Sequence, residues 1–123
     1  MRKLQVRTAV AVAVAVLTVL ALTQVAEGAT TARSTRVIRS SGTIWHPRLV
    51  KITKGTTVKW VATSLTHTVT SYRGPWHKNV TIATGQSTKF KFKKAGTYFF
   101  RCRFHSTLAN GVCTGMCGKV VVH

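Results

Sequence analysis

The sequence predicts an all-β fold, an antiparallel β-sandwich of seven to eight strands, on three observations. Beyond residue 41 the apolar residues fall in short β-branched and aromatic runs divided by turn residues. Several of these runs alternate between apolar and polar positions, the pattern of a sheet with one packed and one wet face. No window of useful length carries the apolar period of an amphipathic helix.

Taken in order, the expected strands are Leu49–Ile52, Thr56–Ala62, His67–Ser71, Asn79–Ile82, Ser87–Phe92, Thr97–Cys102 and Lys119–Val122. A weaker strand is expected near Arg36–Arg39, or an edge pairing at Thr43–Trp45. Turns are marked by Lys54-Gly55, Arg73-Gly74-Pro75, Thr84-Gly85 and Ala95-Gly96. In the second strand Val58 and Trp60 share one side and Lys59 takes the other. In Ser87–Lys93 the phenylalanines Phe90 and Phe92 face one way and the lysines the other. Basic residues interleaved with aromatic ones also suit nucleic acid. Period-2 alternation explains this run without it, and nucleic acid is disfavoured as a partner. Trp45, Trp60, Tyr98, Phe99 and Phe100 are read as core.

Ahead of the sandwich, Arg2, Lys3 and Arg7 precede the uncharged stretch Thr8 to Thr23, and small residues follow at Ala26, Gly28 and Ala29. That order is a secretory signal, with cleavage expected after Gly28. The alternative is an uncleaved membrane anchor, but the 16 residues of the stretch fall short of a spanning helix, which needs about 20. The expected organisation is a signal over 1–28, a flexible arm over 29–41 and one domain over 42–123. The destination is then outside the cytoplasm: periplasm, cell surface or secreted.

Of the 19 Lys and Arg residues three lie in the signal, as does Glu27, the single acidic residue. The 95 residues that follow carry 16 basic side chains and no carboxylate. Glycosidase carboxylate pairs, Ser-His-Asp triads and aspartic dyads are therefore excluded, and so are carboxylate-built magnesium and calcium sites. Any chemistry falls to His, Cys, Met and hydroxyls. The charge favours anionic partners and a marked salt dependence.

The soft ligands are few. Cys102 ends an apolar strand and His105 follows three residues later, so a turn can bring thiolate and imidazole together. His67 begins another strand, and Met116 precedes the last. Thiolate, two imidazoles and a thioether suit copper in both of its common charge states. His46, His77 and His123 lack a partner pattern and are read as surface residues.

These residues sit in recognisable surroundings. The run Gly96-Thr97-Tyr98-Phe99-Phe100-Arg101-Cys102-Arg103-Phe104-His105 resembles the plastocyanin-type segment that leads through a strand to C-x-x-H. Gly55–Trp60 followed by His67-Thr68-Val69 is similar to the stretch carrying that family's first histidine. Gly115-Met116-Cys117-Gly118-Lys119-Val120-Val121-Val122 resembles its closing segment. The chain thus resembles the cupredoxins, the plastocyanin- and azurin-like blue copper proteins, over about Arg48 to Val122.

The resemblance implies a Greek-key sandwich holding one copper ion that cycles between Cu(I) and Cu(II). His67, Cys102 and His105 would form the plane around the metal and Met116 the weak axial contact. It implies electron transfer through the His105 ring outside the cytoplasm, by a monomer and not an enzyme. An acidic redox protein or an anionic envelope polymer would be the partner. Two other roles use the same features: a copper carrier or buffer of the cell exterior, and a basic envelope-binding module without redox work.

Two departures stand out. Ala62 occupies a position where the family commonly has Asn, removing one source of support around the metal. Ten residues, Ser106 to Gly115, separate His105 from Met116, where small family members have a much shorter loop. Two readings of this insert stand: a flap over the metal, or a looser reach of Met116 to the copper than that of the other three ligands. The insert brings Cys113 and Cys117 to either side of Met116. Three readings of the pair stand: a small disulfide, ligands of a binuclear copper centre using His123, or free thiols.

Overall fold

The structure is a computed structural model and describes residues 34–123. The signal expected over 1–28 lies outside the described residues. Among the described residues nine strands form two sheets: β1 (Thr35–Ser41), β2 (Ile44–His46), β3 (Leu49–Ile52), β4 (Thr57–Val61), β5 (His67–Arg73), β6 (Asn79–Ile82), β7 (Ser87–Lys91), β8 (Gly96–Ala109) and β9 (Val112–Val122). One sheet has the order β2-β1-β4-β7 and the other β3-β9-β8-β5-β6. Among the described residues no helix is long and apolar enough to cross a membrane.

The all-β sandwich is as the alternation predicts, with three differences. First, the weaker strand expected near Arg36–Arg39 runs longer, over Thr35–Ser41, so the end of the expected arm is strand. Thr35 to Arg39 pair in parallel with Thr57 to Val61, and Ile38 and Ser40 turn inward. A single buried Ile in a run of Ser, Thr and Arg gives little apolar signal, so the pairing partner makes this strand. Second, two of the seven pairings, β1 with β4 and β3 with β9, are parallel, so both sheets are mixed. Third, β8 and β9 run far past their expected ends. The insert continues both as a hairpin, Ser106↔Gly115 to Ala109↔Val112, closed by Asn110-Gly111. Both turn residues have positive φ, 50° and 76°, the geometry that an Asn-Gly hairpin turn supplies.

The core lies between the sheets. Val58 and Trp60 of β4 face it, as do Tyr98 and Phe100 of β8 and Val120 and Val122 of β9. Trp60 meets Phe100 edge-on at 5.3 Å and stacks near Trp76 at 6.1 Å. Each fully buried large side chain contributes about 1.5–3 kcal/mol. Phe99 is not in this core. Between two inward neighbours it must point outward, where the Arg73 guanidinium covers its ring at 3.8 Å.

Candidate metal centre

Three elements bring the soft side chains together. Short Ser40–Thr63 hydrogen bonds, including one from the Thr63 amide at 2.9 Å, tie the β4–β5 loop to β1. The loop then delivers His67 as the first residue of β5, fully buried. Its Nε2–H donates to the Ser64 carbonyl at 2.8 Å. A carbonyl only accepts, so the lone pair of the neutral ring sits on Nδ1 and faces inward. The Trp45 ring packs against the imidazole at 5.4 Å. Burial pulls the His67 pKa below its ordinary value, partly offset by the Ser64 carbonyl, and the nearby His105 lowers it further.

Cys102 and His105 come from one irregularity in β8. The register with β9 pairs Arg101 with Cys117 and then Ser106 with Gly115. Four residues of β8, Cys102 to His105, therefore bulge opposite a single residue of β9, Met116. The bulge turns Cys102 and His105 to the same side, which plain alternation would not do for residues three apart. Ser106 Oγ donates to the Cys102 carbonyl at 2.6 Å and fixes the turn. Cys102 is fully buried, and the Thr68 amide donates to its sulfur at 3.3 Å. Met116 is fully buried across from the bulge.

His67 Nδ1 and His105 Nδ1 are 3.2 Å apart, and the Cys102 sulfur lies 3.8 Å from the first and 3.4 Å from the second. Donors held in one plane by bonds of about 2.0 Å to nitrogen and about 2.3 Å to sulfur would stand about 3.5–3.7 Å apart. The observed separations bracket that range, so the residues fit a trigonal metal. Two imidazoles, a thiolate and a neighbouring thioether are the donor set of copper electron-transfer sites.

Of the four residues singled out in the sequence, His67, Cys102 and His105 converge, and Met116 lies opposite them on β9. His46, His77 and His123 are exposed. The Cys113 and Cys117 sulfurs lie at bonding distance, 1.99 Å. That pairing leaves no thiolate for a binuclear centre. His123 is also six residues past Cys117 along a strand, about 20 Å away.

The sequence reading missed the supports. With Ala62 in place of Asn, the Thr68 amide reaches the Cys102 sulfur, and Thr68 Oγ1 accepts from the Arg103 amide at 2.8 Å. Arg48 braces the base of the hairpin, donating to the carbonyls of Cys117 at 3.1 Å and Gly115 at 3.2 Å. Thr68, next to His67, was visible in the sequence; Arg48, far from both strands, had no local signal.

Residues 10–114 match the sequence profile of the cupredoxin-like domain. The match takes in His67, Cys102 and His105 and stops two residues before Met116. No curated protein matches the chain. Among solved structures it is similar to a Cu-containing nitrite reductase from Thermus scotoductus SA-01, at 20% identity and a TM-score of 0.61. That similarity covers 72% of this chain but spans only 22% of the reductase. It is also similar to amicyanin from Paracoccus versutus, at 22% identity and a TM-score of 0.58, over 72% of this chain and 81% of amicyanin. A reduced amicyanin variant gives 23% identity and a TM-score of 0.59, over 75% and 85%.

Proposed function

The chain belongs to the cupredoxin family, and from that premise we propose that it is a type 1 copper protein working as an electron carrier outside the cytoplasm, not an enzyme. The observation that carries this reading is the convergence of two imidazole Nδ1 atoms and a buried sulfur within 4.8 Å of one another. In this reading His67, Cys102 and His105 would hold one copper ion, with the buried Met116 side chain as the fourth donor available on β9. When bound, the ion supplies one-electron exchange between Cu(I) and Cu(II).

The protein's part is to keep the donors still. Ser64 and Trp45 fix the ring of His67, the Thr68 amide holds the Cys102 sulfur in place, and the Ser106–Cys102 bond holds the bulge. Donors held this firmly change little when charge arrives or leaves, which keeps the exchange fast. Trp45 and Met116 help to seal the buried side from water. His105 is the half-buried member, beside the exposed Phe104 ring at 6.4 Å, so electrons would enter and leave through its ring. The signal at 1–28 and export belong to the same proposal, and an acidic redox protein is the partner that the charge favours.

Copper loading of the purified protein tests the reading. An intense visible band from the thiolate–copper bond is expected, absent in Cys102→Ser, together with reversible cycling at an electrode. A colourless protein would refute it. Coloured protein that cycles slowly and irreversibly would point instead to a copper carrier.

A further inference from the structure

A second feature lies on the other sheet. The outward positions of β1, β4 and β7 form three rows: Val37–Lys59–Lys89, Thr35–Thr57–Lys91 and Arg39–Val61–Ser87. Lys59 and Lys89 stand directly opposite each other on antiparallel strands, and Lys91 is two residues further along the same face. Neighbouring strands are about 4.8 Å apart and successive same-face residues about 6.8 Å. Like charges in that relation oppose each other and weaken the sheet. Lys78 adds to the density, donating from Nζ to the Lys89 carbonyl at the free edge of β7.

Charge alone would not single out this face, because the whole chain is basic. The difference lies in what the cations do. On the opposite sheet, Arg101 binds Ser106, Arg103 binds Asn79, and Arg73 and Lys119 lie over Phe99, with Arg48 binding two carbonyls just ahead of β3. Lys51 is the one cation of that sheet's strands without such a partner among the described residues. Among the described residues, the side-chain nitrogens of Arg39, Lys59, Lys89 and Lys91 have no such partner. No Asp or Glu follows Glu27 to neutralise them.

We infer that this face is a binding surface for a linear phosphodiester polyanion. Separate ammonium groups a few ångströms apart suit a flexible chain of single phosphate charges. Lysine meets phosphate as a point charge, and a face with one arginine has little capacity for the bidentate recognition that paired forks give. The rings of Phe90 and Phe92 pack with Trp76 on the inner side. The face therefore has no aromatic platform for bases, which sets it apart from a single-strand nucleic-acid surface. It belongs to the four-stranded sheet, whereas the candidate metal residues lie on β5, β8 and β9, so it does not depend on copper.

Binding of the purified protein to poly(glycerol phosphate), followed against salt concentration, tests the inference. The triple variant Lys59→Gln, Lys89→Gln, Lys91→Gln should lose at least about tenfold in affinity at low salt, and its log–log salt slope should fall by about 2. The charge-matched control Lys51→Gln, Lys54→Gln, Lys119→Gln should keep both. Replacing the same three lysines of the face by Arg should retain binding, and the Gln triple should melt no lower than wild type. Equal losses in the two Gln triples would overturn the inference, because the binding would then be diffuse. Tighter binding of duplex DNA or of polyglutamate at the same salt would overturn the choice of partner.

Discussion

Gly115→Ala probes the contact that seats Met116 beside the β8 bulge. Gly115 has φ +91°, and a Cβ there would lie 2.5 Å from the His105 carbonyl oxygen and 3.2 Å from the Ser106 Cα. Both neighbours are backbone, so no side chain can swing away. The positive φ alone costs about 1–2 kcal/mol for alanine. Opening the contact by roughly 0.5–1 Å within a packed strand pair costs about 1–3 kcal/mol more. For a domain of this size each kcal/mol lowers Tm by about 4–8 °C, so a fall of about 10 °C or more is expected. Gly111→Ala is the control: its φ is +76° but nothing lies within 4 Å of the added carbon. It should show the φ cost alone. Thermal unfolding of both metal-free variants measures the difference, and in copper-loaded protein only Gly115→Ala should shift the visible band, through His105. Equal destabilisation of the two variants would refute the close-approach reasoning.

Three further outcomes follow from the same geometry. Replacing Cys113 and Cys117 by Ala removes a crosslink spanning four residues, and should cost about 2 kcal/mol in urea unfolding on the chain-entropy account. The metal-free protein should weaken in acid: because burial depresses the His67 pKa from 6.5, the unfolded chain binds the proton more readily. That contribution is complete above the unfolded value and is lost as pH falls below it toward the folded one, so urea midpoints at pH 7.5 and 5.5 should differ less in His67→Gln. Trp45→Ala opens a cavity beside His67 and Phe100; a loss of about 3–5 kcal/mol is expected by denaturant titration.

The sandwich was legible because its strands alternate: Val58 and Trp60 against Lys59 leave one face to bury. His67, Cys102 and His105 were legible from local spacing, which a strand end followed by a turn converts into proximity. β1 was legible only as a weak strand near Arg36–Arg39, since Ile38 stands almost alone among polar residues and its full length comes from pairing with β4. The hairpin was not, because Ser106–Ala109 and Val112–Gly115 have neither a buried face nor a third strand, and their register is set by the Asn110-Gly111 turn. Phe99 lies outside the core despite its aromatic ring, because its parity on β8 is opposite to that of Tyr98 and Phe100. The Thr68 amide on the Cys102 sulfur is a backbone group, which no side-chain pattern reports.

The parallel pairing of β3 with β9 has a consequence in time. Leu49 meets Lys119, and Ile52 meets Val122, across most of the domain's length. Such long-range closure makes folding slow, on the millisecond-to-second scale of all-β domains. His67 and Cys102 come from strands that pair only late in the chain, and Met116 waits for β9 itself. A nascent or half-folded chain therefore carries His67 and Met116 apart from Cys102 and His105. On the reading that these residues hold copper, tight capture of the ion would require the finished sandwich.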